Sequence, residues 1–149
     1  MYDTYRGNQA NPYLAQRVNS ASPEELAAML LGGAERFLLQ AVAAIQRKDH
    51  LEKARLMTRV SAIMQRLLGM LNPEADRQLV NRLHGIYIWW IKEMFDGSRY
   101  NRPESIERVV RQMSWMRASW EELSRRQTVG AQAADAPVES SFSVEGLVG

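Results

Sequence analysis

Apolar positions recur along this chain at three- and four-residue steps in four long blocks, the spacing of one face of a helix. In the first block Leu26, Met29, Leu30, Phe37, Leu38, Ala41 and Ile45 follow Ser22-Pro23-Glu24-Glu25. That tetrad predicts a helix start, with Ser22 as cap, Pro23 in the first position and Glu25 completing a capping box. Gly32-Gly33 costs about 1 kcal/mol per glycine relative to alanine, and a close helix–helix approach at that level would explain it. The helix is expected to end near Arg47–His50, where basic residues suit a C-terminus. The second block covers roughly Leu51–Leu71, with Leu56, Val60, Ile63, Met64 and Leu67 in phase. Asn72-Pro73 breaks the pattern, and Pro73 is expected to open the third helix. Arg102-Pro103-Glu104 opens the fourth, which carries Ile106, Val109, Val110, Met113, Met116, Trp120 and Leu123.

The third block, Leu79–Phe95, is the most apolar. On a helix Leu79, Leu83, Ile86, Tyr87, Trp90, Ile91 and Met94 share one broad face. Val80, Ile88 and Phe95 widen the arc to roughly 200°, about twice what a surface helix needs. Trp89 falls opposite, among Asn81, Arg82 and Lys92. Such a helix is either the centre of a bundle or keeps apolar surface for something outside the chain.

Residues 1–20 lack sustained periodicity and hold Asn11-Pro12 with Tyr2, Tyr5 and Tyr13; Tyr13 is expected to lie against the body. After Arg125-Arg126 the pattern dissolves into Gly, Ala, Ser and Pro with scattered acids, a disordered tail. The fold class expected is all-α: an antiparallel up-and-down four-helix bundle over residues 21–126. An N-terminal arm or short helix (1–20) precedes it and a disordered tail (127–149) follows.

At 149 residues the chain is long enough for one domain with its own core. It has no cysteine, which fits a reducing compartment. Its polar start predicts no secretory signal. The apolar run Ile86–Ile91 falls far below the ~20 residues of a bilayer span, so a cytosolic location without membrane insertion is expected. Net charge is +2, unevenly spread. Gln127–Gly149 carries Asp135, Glu139 and Glu145 and no Lys or Arg, leaving 19 basic and 14 acidic residues, net +5, on the body. That is short of a dedicated nucleic-acid surface.

Candidate chemistry is sparse. His50 and His84 lack HExxH spacing and a Glu-x-x-His partner, so no metal site is expected. No serine stands in a GxSxG or SxxK motif, and no phosphate loop follows Gly32-Gly33. No catalytic residue and no cofactor are therefore expected. Arg102, Arg108, Arg111, Arg117, Arg125 and Arg126 read as a solvated face paired with Glu104, Glu107, Glu121 and Glu122 rather than as a nucleic-acid site.

Tyr13 followed by Val18-Asn19-Ser20-Ala21-Ser22-Pro23-Glu24-Glu25-Leu26, then Met29-Leu30-Leu31 and Gly33, resembles the opening of the flagellar secretion chaperones specific for flagellin. Ile63, Met64 and Leu67 are similar to that family's Ile-Ile-x-x-Leu stretch, Ile86-Tyr87 to its Leu/Met-Tyr-Asp-Tyr segment, and Arg117-Ala118-Ser119-Trp120 to its Arg-x-Ala-Trp end. The likeness spans Tyr13–Leu123 in order. Leu31 stands where the family has an aromatic, and Ile88-Trp89 where it has Asp-Tyr; both changes are toward apolar.

The resemblance implies a cytosolic, non-enzymatic bundle that binds the disordered C-terminal segment of flagellin, prevents early polymerisation and delivers it to a component of the flagellar type III export gate. It also implies that the arm, here Tyr5–Tyr13, lies over part of the binding surface. With the surplus apolar surface it points to Leu30, Leu31, Ile88, Trp89 and Ile91, with Tyr13 from the arm, as partner-binding residues. Two alternatives stay open: a homodimeric adaptor whose interface is that surplus face, and a nucleic-acid-binding regulator using the last helix.

Overall fold

Ser22 begins the first long helix as its motif requires: its side chain accepts the Glu25 N–H at 3.2 Å, and Pro23 fills the first turn. The computed structural model describes residues 12–132, all of whose regular structure is helical. Five helices follow one another: α1 (Pro12–Ser20), α2 (Pro23–Gln46), α3 (His50–Gly69), α4 (Arg77–Arg99) and α5 (Pro103–Gln132). The described part of the arm is thus the short helix α1, none of whose residues is buried. Tyr5 and the rest of residues 1–11, like residues 133–149, lie outside the described residues.

Two of the helix ends close in the same way. Lys48 and Asn101 adopt positive φ (61° and 52°) just past α2 and α4. The next N–H, of Asp49 or Arg102, then reaches back to the Ala44 carbonyl at 2.8 Å or the Gly97 carbonyl at 2.7 Å. Asp49 also caps α3 by accepting the Glu52 N–H, so one residue ends one helix and starts the next. The third long helix begins later than expected. Asn72 accepts the Glu74 N–H and spends Pro73 on a turn, while Asp76 caps α4 by accepting from Gln78 and Leu79. At the far end α5 runs to Gln132, past the expected tail boundary at Gln127. Gln127 itself contacts Glu24 of α2, and Thr128 bonds back to the Ser124 carbonyl.

α2 packs against α3 and α5, and α4 against α5 and α3. Glu24 meets Gln127 while Glu35 meets Arg117, and Lys53 at the start of α3 donates to the Ser98 carbonyl at the end of α4. The core lies between these four helices, centred on Leu31, Leu38, Met64, Trp90, Met94 and Met113. Although α2 is long and apolar enough to cross a membrane, Ala27, Leu31, Leu38 and Ala41 on it are buried in the core, and the helix packs against α3 and α5.

The glycines separate cleanly. A Cβ on Gly97 would stand 2.9 Å from Ile106 Cγ1 and 3.0 Å from the Arg102 carbonyl oxygen, so α4 and α5 meet there only because that side chain is absent. Gly97→Ala is expected to lower stability by about 1–3 kcal/mol in urea unfolding. Gly33 differs from the sequence expectation: its Cβ would meet Ile63 Cδ1 at 3.5 Å and Arg36 Nη2 at 3.8 Å, both ordinary side-chain contacts. No close backbone approach requires the glycine. Gly33→Ala should therefore raise stability by about 0.5–1 kcal/mol, the helix-propensity gain, and a fall in melting temperature would contradict this.

Candidate functional site

Along α4 the buried large apolar positions are Val80, Leu83, Tyr87, Trp90 and Met94, a stripe narrower than the helix's apolar arc. The surplus is left at the surface: Ile88 is 46% exposed, Trp89 42%, and Ile86 and Phe95 are exposed as well. On the side facing α5 the helix forms one wall of a groove. Leu79, Leu83, Ile86 and Trp90 line it from α4, and Trp115, Met116, Ser119, Trp120 and Leu123 from α5, around a volume of about 530 Å³. Its only other lining residue among the described residues, Gln112, already accepts the Trp90 indole N–H at 2.8 Å. Trp115 stands at the rim, 78% exposed. The groove continues over Ile86 and Gln112 onto a shelf bordered by Trp89, Asn81, Arg82 and Gly85.

Behind the groove Tyr87 packs at a tilt on Trp90, ring centroids 5.6 Å apart. Burial pushes its phenol pKa up to about 12 from 10. The folded state therefore holds the proton more tightly than the unfolded chain. Tyr87's contribution is intact below pH 10 and is lost as pH rises through 12, by up to about 3 kcal/mol. Unfolding of Tyr87→Phe should lack this part of the alkaline decline between pH 10 and 12; an identical decline in both proteins would exclude it.

One seam beside the groove is pinned by charge. Arg117 donates from Nε to Glu35 Oε2 at 2.7 Å and from Nη1 to Glu121 at 3.1 Å, and the Glu35 bond chiefly raises its pKa further. Arg108 pairs with Glu93 of α4, and Arg125 and Arg126 with Glu122. The expected pairing within the last helix therefore holds for Glu121 and Glu122. Glu35 and Glu93 are partners from other helices, which periodicity along α5 does not disclose. Arg125 and Arg126 in turn hold the Glu122 carboxyl below its usual range.

The six residues expected to bind a partner are not gathered in one place. Trp89 borders the shelf, while Ile88 turns away from α5 and falls in helical phase with Ile91 and Phe95. Leu30 and Ile91 are half-buried against the core, and Tyr13 projects from α1, 74% exposed. Tyr13 therefore does not lie closely against the body as expected. Leu31, at 0% exposure, is a central core residue of α2 and is covered by its own chain in this conformation. Sequence reasoning missed Trp115. Its signal was available, because a tryptophan two positions after Met113 stands out of step with the α5 apolar stripe, as Trp89 does on α4.

Residues 6–127 match the family model described as flagellar protein FliS. The chain belongs to the FliS family. Among curated relatives, a flagellar secretion chaperone FliS of Campylobacter jejuni is 26% identical over 119 residues, 80% of this chain and 93% of the relative. Those of Vibrio cholerae (22% identical, 72% of this chain, 79% of the relative) and Salmonella typhimurium (26%, 72% and 80%) are similar over the same extent. FliS proteins of this kind are chaperones for flagellar secretion, a class without enzymatic chemistry. In this FliS chain the matched span takes in all of α1–α4 and both walls of the groove.

Proposed function

We propose that this chain is an export chaperone for flagellin: it binds the disordered C-terminal segment of its client in the cytosol, prevents premature polymerisation and hands it to the flagellar export gate. The observation that carries the reading is the open groove between α4 and α5, apolar on both walls and bearing a largely exposed tryptophan. Monomeric proteins seldom keep such a surface without a use. A segment that folds on binding lays one apolar helix face into a groove of this kind, and burial of that face supplies the affinity. No covalent step is involved. Ile88, Ile91, Leu30 and Tyr13 extend contact beyond the groove as the client wraps the bundle, and Trp89 contributes through its shelf. The scaffold is an up-and-down antiparallel four-helix bundle, supported by the Glu24–Gln127, Glu35–Arg117 and Lys53–Ser98 contacts. A short N-terminal arm precedes it, and a tail follows Gln132.

Calorimetric titration with the C-terminal piece of flagellin from the same organism is the test. Saturable one-to-one binding with a Kd of micromolar or tighter is expected, with a negative heat-capacity change from apolar burial. No binding at tens of micromolar, with helical circular dichroism intact, overturns the proposal. Sedimentation at the same concentrations addresses the homodimer: a tight dimer that persists with client bound would assign the surplus face to the subunit interface instead.

A further inference from the structure

Two basic side chains stand beside the groove. Arg82 borders the Trp89 shelf, and Arg111 stands one helical turn before Trp115; neither pairs with a carboxylate among the described residues. Within the lining, the buried Trp120 indole N–H has no acceptor among the described residues. An occupant suited to this place is an apolar segment that carries carboxylates and free backbone carbonyls.

The chain holds such a segment. Residues 133–149 contain Val138, Phe142, Val144 and Leu147 among Asp135, Glu139 and Glu145, without one basic residue. They start where α5 stops, at Gln132. Leu123, the nearest groove residue of α5, lies only about 14 Å back along the helix, and the groove from Leu123 to Gln112 is about 16 Å long. Both distances together are about half the reach of the extended segment, ~58 Å. A tether of this length holds its end at an effective concentration of order millimolar, so even a weak contact is populated.

We propose that the acidic C-terminal segment 133–149 docks in the α4/α5 groove of the empty protein, its apolar side chains against Trp115 and Ile86 and its carboxylates toward Arg82 and Arg111. It is a built-in competitor that a client must displace. The docking rests on the reading of the groove as a surface for apolar segments; only its regulatory consequence depends on flagellin being the client.

The test uses the full chain with a photo-reactive benzoylphenylalanine in place of Phe142. Irradiation at low micromolar concentration should give intramolecular cross-links to the tryptic peptides that carry Leu83–Ile86 or Trp115–Met116. Their yield should fall at least threefold in Arg82→Ser/Arg111→Ser and in half-molar salt. No cross-link, links to other helices or to residues 1–11, links between two chains, or a yield indifferent to both changes overturns the proposal. In a second arm, Phe142→Ser/Val144→Ser should bind the flagellin piece about three- to tenfold more tightly, and unchanged affinity counts against the competitor role. A flagellin piece that fails to bind either protein removes the proposed function but leaves the cross-linking result to decide the docking.

Discussion

Trp90→Ala is expected to destabilise the protein by about 3–5 kcal/mol, enough to bring a domain of ordinary stability close to unfolding. Trp90 is 1% exposed, packs on Tyr87, and donates its indole N–H to Gln112 across the α4–α5 interface. Alanine would remove the largest side chain in the core and leave the Gln112 carbonyl without its donor. The lost volume also adjoins the groove, which should then admit small apolar molecules. Urea unfolding measures the loss. Trp90→Phe, which keeps most of the packing but not the hydrogen bond, should lose distinctly less. A loss below about 1 kcal/mol for Trp90→Ala would mean that α4 is not held through this residue.

Trp115→Ala should do the reverse: weaken binding of the flagellin piece by about 30-fold or more while moving the melting temperature by no more than a degree or two. A tryptophan left mostly in water in the free protein contributes little to folding, yet can bury a large area against a partner. A 30-fold loss is about 2 kcal/mol, the size of a single aromatic anchor at an interface. Trp89→Ala, at the shelf, should follow the same pattern with a smaller effect, since half of that ring is already covered by its own chain. Titration calorimetry and thermal unfolding on the same samples separate the two quantities. Unchanged affinity in Trp115→Ala would move the client off this groove, and a melting temperature lower by ten degrees would make Trp115 a folding residue.

The contrast between these tryptophans shows what local pattern can convey. Residue spacing alone placed the long helices, because apolar side chains every three or four positions leave no other regular backbone able to bury them together. Ser22-Pro23 and Arg102-Pro103 marked two of their starts through chemistry confined to a few neighbouring residues. The excess width of the α4 arc was equally legible, and with it the exposure of Ile88 and Trp89. Local signals misplaced the start of α4, where Asn72 and Asp76 are both competent caps and only one opens the helix. They also stopped α5 early, because the contact that anchors its end, Gln127 with Glu24, joins residues a hundred positions apart.

Which apolar residues remain free was decided in three dimensions. Leu30 and Leu31 are adjacent and chemically identical, yet packing buries Leu31 completely and leaves Leu30 partly open. Trp115 became part of a site only when α4 came alongside and set Leu79, Leu83 and Ile86 opposite Met116 and Leu123. Periodicity tells which face of one helix is apolar. What covers that face depends on how far and at what level neighbouring helices approach, and that follows from contacts such as Gly97 on Ile106 and Arg117 on Glu35, between residues with no proximity along the chain.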